Sequence, residues 1–141
     1  MTNIQAAVGV AQMERLDQFI STKKKVREQY KEQLQSWADE KKIMFFPTTD
    51  GSSCWFSGIV LPEGTEVEQV KLICAKLKED GIEARCFWKP VHLQKPYEGV
   101  PVSDVHVAES LWQRIITLPC STNINGDEFS IVINSVKEIV L

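Results

Sequence analysis

CWFSGIVLPEGTEVEQVKLICAKLKEDGIEARCFW, residues 54–88, switches its hydrophobic period twice, and those switches decide the fold class. Residues 54–61 alternate as a strand with Trp55, Ile59 and Leu61 on one face, and Pro62-Glu63-Gly64 stops it. Thr65 then offers a helix cap, with Glu68 completing a capping box, and Val67, Val70, Ile73, Cys74 and Leu77 recur at helical spacing. Gly81 stands where a helix ends, because only glycine takes the left-handed conformation without a Cβ penalty. IEARCFW, 82–88, reads as a second strand.

Outward toward the C-terminus, KPVHLQKPYEGVP is a proline-punctuated loop that fits neither period. Ser103 can cap a helix running to about Arg114, and residues 115–118 read as a short third strand. Asn125 with Glu128 offers another cap, and Phe129, Val132, Ile133, Val136 and Ile139 line one face of a final helix. Few strands alternating with helices imply an α/β (α+β-like) two-layer sandwich, a small mainly antiparallel sheet with helices on one face.

Outward toward the N-terminus, residues 1–38 predict a single long helix. Ile4, Val8, Leu16, Phe19, Val26, Tyr30, Leu34 and Trp37 fall on one stripe, interrupted by Gln12 and Lys23. Glu14, Asp17, Lys25, Glu28 and Glu32 give the opposite face mixed charge, and Lys23-Lys24-Lys25 reads as part of a solvated surface. Some 35 helical residues would span roughly 50 Å, against about 30 Å for a compact domain of this size. Part of the helix must therefore kink, project or meet a partner, and Ala6, Ala7, Gly9 and Ala11 suit close backbone approach. The expected division is an interdomain or oligomerisation helix, 1–38, and a small C-terminal α/β domain, 39–141.

With 141 residues, 43% hydrophobic and 25% charged, the chain has the composition of a globular domain. A net charge of -3 supplies no attraction for nucleic acid or an anionic membrane. No apolar run reaches the length of a membrane span, and no basic leader precedes an apolar core. The expectation is a cytoplasmic protein with neither nucleic-acid nor membrane partner. Cys54, Cys74, Cys86 and Cys120 form no CxxC pair and are expected to be reduced and mostly buried, with no metal site.

Dinucleotide, phosphate-loop, zinc-protease and nucleophile-elbow motifs are all absent. His106, in the first turn of a predicted helix, reads as a surface residue. His92 lies with Trp88 and Tyr97 in a loop stiffened by prolines, where binding residues are often held; ordinary loop packing explains the same residues. Glu66/Glu68 and Asp127/Glu128 stand at helix starts, where the macrodipole accounts for them. Ser121 and Cys120 have no nearby histidine in sequence to act as a base.

MTNIQAAVGVAQMERLD at 1–17, the strand around Trp55, GIEAR at 81–85, W-x-P-x-H at Trp88, Pro90 and His92, the Pro96-Tyr97 pair and LPCS at 118–121 form an ordered series. Together they resemble the C-terminal part of DegT-type nucleotide-sugar aminotransferases, fold type I enzymes that use pyridoxal phosphate, with Met13 where leucine is usual. The resemblance implies a small domain closing one side of an active-site cleft. The Schiff-base lysine, the carboxylate beside the pyridine nitrogen and most phosphate contacts would belong to an N-terminal domain ahead of Met1. It therefore implies no catalytic or cofactor-binding residue in this chain and no cofactor held by it alone; pyridoxal phosphate belongs to the intact enzyme. Trp88, His92 and Tyr97 would face the cleft, Gln5 would lie near it, Arg85 matches a common family position, and Lys89 is at best a substrate-side residue. The opening segment then reads as the passage between the two domains, its first turns frayed or held by another copy. A homodimer through the N-terminal helix, or docking of a cofactor domain, would cover that helix. The alternatives are a stand-alone dimerising interaction module and, last, one half of a split enzyme.

Overall fold

A computed structural model describes residues 2–140. In chain order the helices are α1 (Asn3–Met13), α2 (Leu16–Asp39), α3 (Val67–Glu79), α4 (His106–Leu111) and α5 (Gly126–Ile139). The strands are β1 (Met44–Phe45), β2 (Ser57–Val60), β3 (Arg85–Cys86) and β4 (Ile115–Leu118), with short 3-10 turns at 91–93, 95–97 and 112–114. The sheet is antiparallel throughout in the order β1-β2-β4-β3, as the two-layer reading expects.

The core lies between one face of this sheet and helices α2, α3 and α5. Val26, Tyr30, Leu34 and Trp37 project from α2 at helical spacing onto Ile59, Leu61, Ile116 and Leu118 of the central strands and onto Phe129, Val132 and Val136 of α5. Val60 and Ile115, paired across β2 and β4, are also buried but lie outside that cluster, on the sheet's other face. The two central strands meet closely at Gly58: a Cβ there would stand 2.6 Å from the carbonyl oxygen of Ile116.

The N-terminal helix is not continuous. Arg15 leaves the helical conformation (φ -109°, ψ 2°) and its N–H bonds Gln12 rather than the carbonyl one residue earlier, a tightened turn that separates α1 from α2. Its guanidinium lies 5.0 Å from the Phe19 ring centroid, within cation–π range. The expected apolar stripe is buried only from Val26 onward; Ile4, at 78% exposure, Val8, Val10 and Met13 are uncovered. Thr2 and Gln5 close a capping box at the start of α1.

Several boundaries differ from the sequence reading for local reasons. Cys54 takes a left-handed backbone (φ 51°), which breaks the expected strand, so β2 begins only at Ser57. Trp55 is consequently 70% exposed instead of sharing the buried face of Ile59 and Leu61. Glu66 rather than Thr65 caps α3, with Gln69 reciprocating, because the Thr65 hydroxyl is spent on the Pro62 carbonyl. Asp104 rather than Ser103 receives the first N–H of α4, and that helix yields to a 3-10 turn before Arg114. The second strand contracts to Arg85–Cys86, and Met44–Phe45, left unassigned in the sequence reading, forms an edge strand.

Candidate functional site

An open concavity of about 350 Å³ lies where the end of β4, the start of β3 and the segment before β2 converge. Trp55 and Trp88 form one wall, their rings nearly parallel (15°) with centroids 6.1 Å apart. Phe46, Phe56 and Phe87 stand together at 4.9–5.4 Å, and Phe56 and Phe87 make edge-on contacts with Trp88. The tryptophans thus present flat apolar surface to solvent from a filled aromatic base.

The concavity's charge comes from Arg85, whose guanidinium meets Glu83 at 2.8 Å with both side chains largely exposed. Exposed pairs of this kind contribute only about 0.2–1 kcal/mol, so the fork can exchange Glu83 for another anion at little cost. Thr117 donates its hydroxyl to the Arg85 carbonyl and fixes β3 on β4. Lys23 reaches from α2 to donate to the Trp55 carbonyl at 2.9 Å, and its ammonium lies 3.7 Å from Cys120 Sγ. Lys23 is therefore a half-buried tether, whereas Lys24 and Lys25 are solvated as expected. The Tyr30 hydroxyl donates to the Pro119 carbonyl at 2.7 Å, anchoring the segment after β4, and burial raises its pKa above the usual phenol range.

Among the five expected site residues, Arg85 and Trp88 line the concavity; His92, Tyr97 and Gln5 do not. His92 lies in the first 3-10 turn, mostly buried, with Nε2 2.8 Å from a Glu109 carboxylate oxygen on α4. Tyr97 sits half-exposed in the next 3-10 turn. Gln5 accepts the Thr2 N–H through its side chain and completes the capping box whose cap residue is Thr2. His106 is at the surface as expected, with Nδ1 2.6 Å from Asp104, whose carboxyl is held below its usual range by that hydrogen bond. Trp55, Lys23 and Glu83 are members of the constellation that the sequence reading does not name as site residues; Trp55 and Glu83 stand in stretches that carry the family resemblance, whereas Lys23 carries no such signal.

A model of the DegT/DnrJ/EryC1/StrS aminotransferase family matches residues 1–137. The chain belongs to this family. Similar members include the GDP-perosamine synthase of Caulobacter vibrioides, 27% identical over all of this chain and 38% of its own length. The GDP-perosamine synthase of Vibrio cholerae is 30% identical, over 97% of this chain and 37% of its own. The solved structure of Helicobacter pylori PseC, an aminotransferase involved in the biosynthesis of pseudoaminic acid, superposes with a TM-score of 0.82 at 22% identity, covering 97% of this chain and 37% of that one. The chain thus spans little more than a third of these family members, their C-terminal part.

Family members of this kind are pyridoxal-phosphate-dependent. That cofactor needs a lysine amine and a carboxylate aimed at the pyridine nitrogen. The concavity has no lysine in its lining, and its carboxylate, Glu83, is paired to Arg85. Lys23 is committed to Trp55; Lys31, Lys42 and Lys71 form surface ion pairs with neighbouring glutamates. The lining of this concavity does not fit the cofactor, and no reaction step is assigned to it. Among the described residues, no cluster of metal-ligating side chains occurs and no helix is long and apolar enough to cross a membrane.

Proposed function

We propose that this chain is the small, substrate-side domain of a sugar aminotransferase, serving amino transfer to a keto nucleotide-sugar in an intact enzyme and inactive by itself. The observation that carries this reading is the family match from residue 1 to residue 137, joined to a concavity that offers aromatic and cationic groups but no lysine. In the intact enzyme pyridoxal phosphate supplies the electron sink. The residues of this chain bind and orient. Trp55 and Trp88 offer parallel faces for a sugar ring or base, and the Arg85 fork suits a phosphate or carboxylate. His92, steadied by Glu109, with Tyr97 and Gln5, would complete the cleft wall against the cofactor domain.

The protein would work in the cytoplasm without nucleic-acid or membrane partners. Supplied with pyridoxal phosphate, an amino donor and a keto nucleotide-sugar, the chain alone should give no amino-sugar product. Turnover proportional to its concentration would overturn the reading.

A stand-alone dimerising module is the second reading, and the uncovered apolar face of α1 favours it. Ala6, Gly9, Val10 and Met13 line a nearly wholly apolar shallow groove there. A second copy or a cofactor domain would cover this face. Light scattering coupled to size exclusion should show association at high concentration; a clean monomer throughout would count against the module.

A further inference from the structure

Cys74 and Cys86 are separated by the end of α3 and the turn at Gly81 (φ 79°), yet their sulfurs lie 3.8 Å apart. Cys74 is half-buried on α3, and Cys86 is exposed on β3, the edge strand of the sheet. The connection between them is firmly held: the Ile82 N–H bonds the Leu77 carbonyl at 2.8 Å, and Ile82 and Ala84 are buried. Side-chain rotation alone must close the difference between 3.8 Å and the roughly 2.05 Å of a disulfide. The other two cysteines are placed differently. Cys54 is buried, and Cys120 directs its sulfur at the Trp55 carbonyl beside Lys23.

We propose that Cys74 and Cys86 are a redox-responsive pair that closes to an intramolecular disulfide when a hydroperoxide reaches the exposed thiol. The Cys86 thiolate attacks one peroxide oxygen; an S–O bond forms, the O–O bond breaks, and the departing hydroxide takes a proton to become water. Cys74 then attacks the Cys86 sulfur; the S–S bond forms, the S–O bond breaks, and a second water carries away the Cys74 proton. Two thiols are oxidised and one hydrogen peroxide is reduced to two waters. The order follows from access: Cys86 is exposed and meets the peroxide first, whereas Cys74 is half-buried, its thiol pushed up mainly by burial and so a poor first nucleophile. The bridge pins β3, with Arg85, and the approach to Trp88 against α3. This inference is independent of the aminotransferase reading.

The test is hydrogen peroxide treatment of the reduced chain, followed by thiol titration and non-reducing peptide mapping. Titratable thiols should fall from the four present to two, with a single peptide pair joined through Cys74 and Cys86 and full recovery on dithiothreitol. Dimedone present during oxidation should trap at least about tenfold less Cys86 sulfenic acid in the folded chain than in urea, because the fold holds Cys74 at high effective concentration for the second step. Cys74→Ser should leave a Cys86 sulfenic acid that dimedone traps, and Cys86→Ser should yield neither bridge nor trap at residue 74. Four surviving thiols, bridges dominated by Cys54 or Cys120, or equal dimedone trapping in urea and buffer would each overturn the proposal; the wild-type map needs no variant to fold.

Discussion

Replacing Gly58 with alanine tests the packing of the two central strands at its tightest point. The added Cβ would stand 2.6 Å from the Ile116 carbonyl oxygen and 3.4 Å from both the Ile116 carbonyl carbon and the Thr117 Cα, all backbone atoms of β4. Carbon–oxygen contacts settle at about 3.3–3.6 Å, so β2 must retreat by roughly 0.7 Å or more from a strand to which it is fully paired. Weakening about two ladder bonds at ~1 kcal/mol each, with some loss of packing around buried Ile59, costs about 3 kcal/mol. The lower entropy of an unfolded chain with alanine returns about 0.4–1 kcal/mol. The expected net loss is about 2–3 kcal/mol, read as a lower urea midpoint by tryptophan fluorescence at unchanged m. Gly126→Ala is the control, since its Cβ meets nothing within 4 Å; it should raise the midpoint slightly, by the same gain of about 0.4–1 kcal/mol from the unfolded chain with no close-contact cost. A Gly58→Ala midpoint equal to or above that of the parent would refute the close-contact argument.

Other perturbations follow from single observations. Arg114 is 6% exposed and donates to the Leu61 and Ser110 carbonyls, so Arg114→Met should cost about 2–3 kcal/mol in urea unfolding by removing two charge-assisted bonds and leaving the buried Leu61 carbonyl without this donor. Lys41 holds a left-handed backbone (φ 58°) just after α2, and Lys41→Gly should raise stability by about 0.5–1 kcal/mol, seen as a thermal midpoint higher by about 1–4 °C. Tyr30 and Cys74 both have folded pKa values raised by burial, so their protonated forms bind more tightly in the native state. Their contribution is complete below the unfolded values, about 8.5 for the thiol and 10 for the phenol, and is lost as pH rises beyond them. Stability measured by urea titration should therefore decline from about pH 9 upward, and Tyr30→Phe should flatten the part above pH 10.

Long periodic elements were legible because burial and spacing agree there. Phe129, Val132, Ile133 and Val136 bury as the sequence implies, and the Asn125–Glu128 capping box forms as read. Short elements were not: Met44–Phe45 is too brief to alternate, and nothing in a pattern announces that Cys54 will adopt positive φ. The single long helix failed at Arg15, a break marked by neither proline nor glycine. Cysteine burial was read too broadly, since only Cys54 is fully buried. In the site, the motif resemblance pointed to Arg85 and Trp88, but Lys23 joins them across 32 residues to Trp55 and 97 to Cys120, which no local pattern encodes. The His92–Glu109 contact likewise depends on how two 3-10 turns fold the proline-rich loop back toward α4.

The central claim is that this chain provides a substrate-side wall and not a cofactor site. Incubation with pyridoxal phosphate, borohydride reduction and peptide mapping of the modified lysines test it most directly. Labelling should be sparse and distributed over exposed lysines, without a stable absorbance band of a lysine-bound cofactor. Stoichiometric reduction onto one lysine, protected by a nucleotide-sugar, would contradict it.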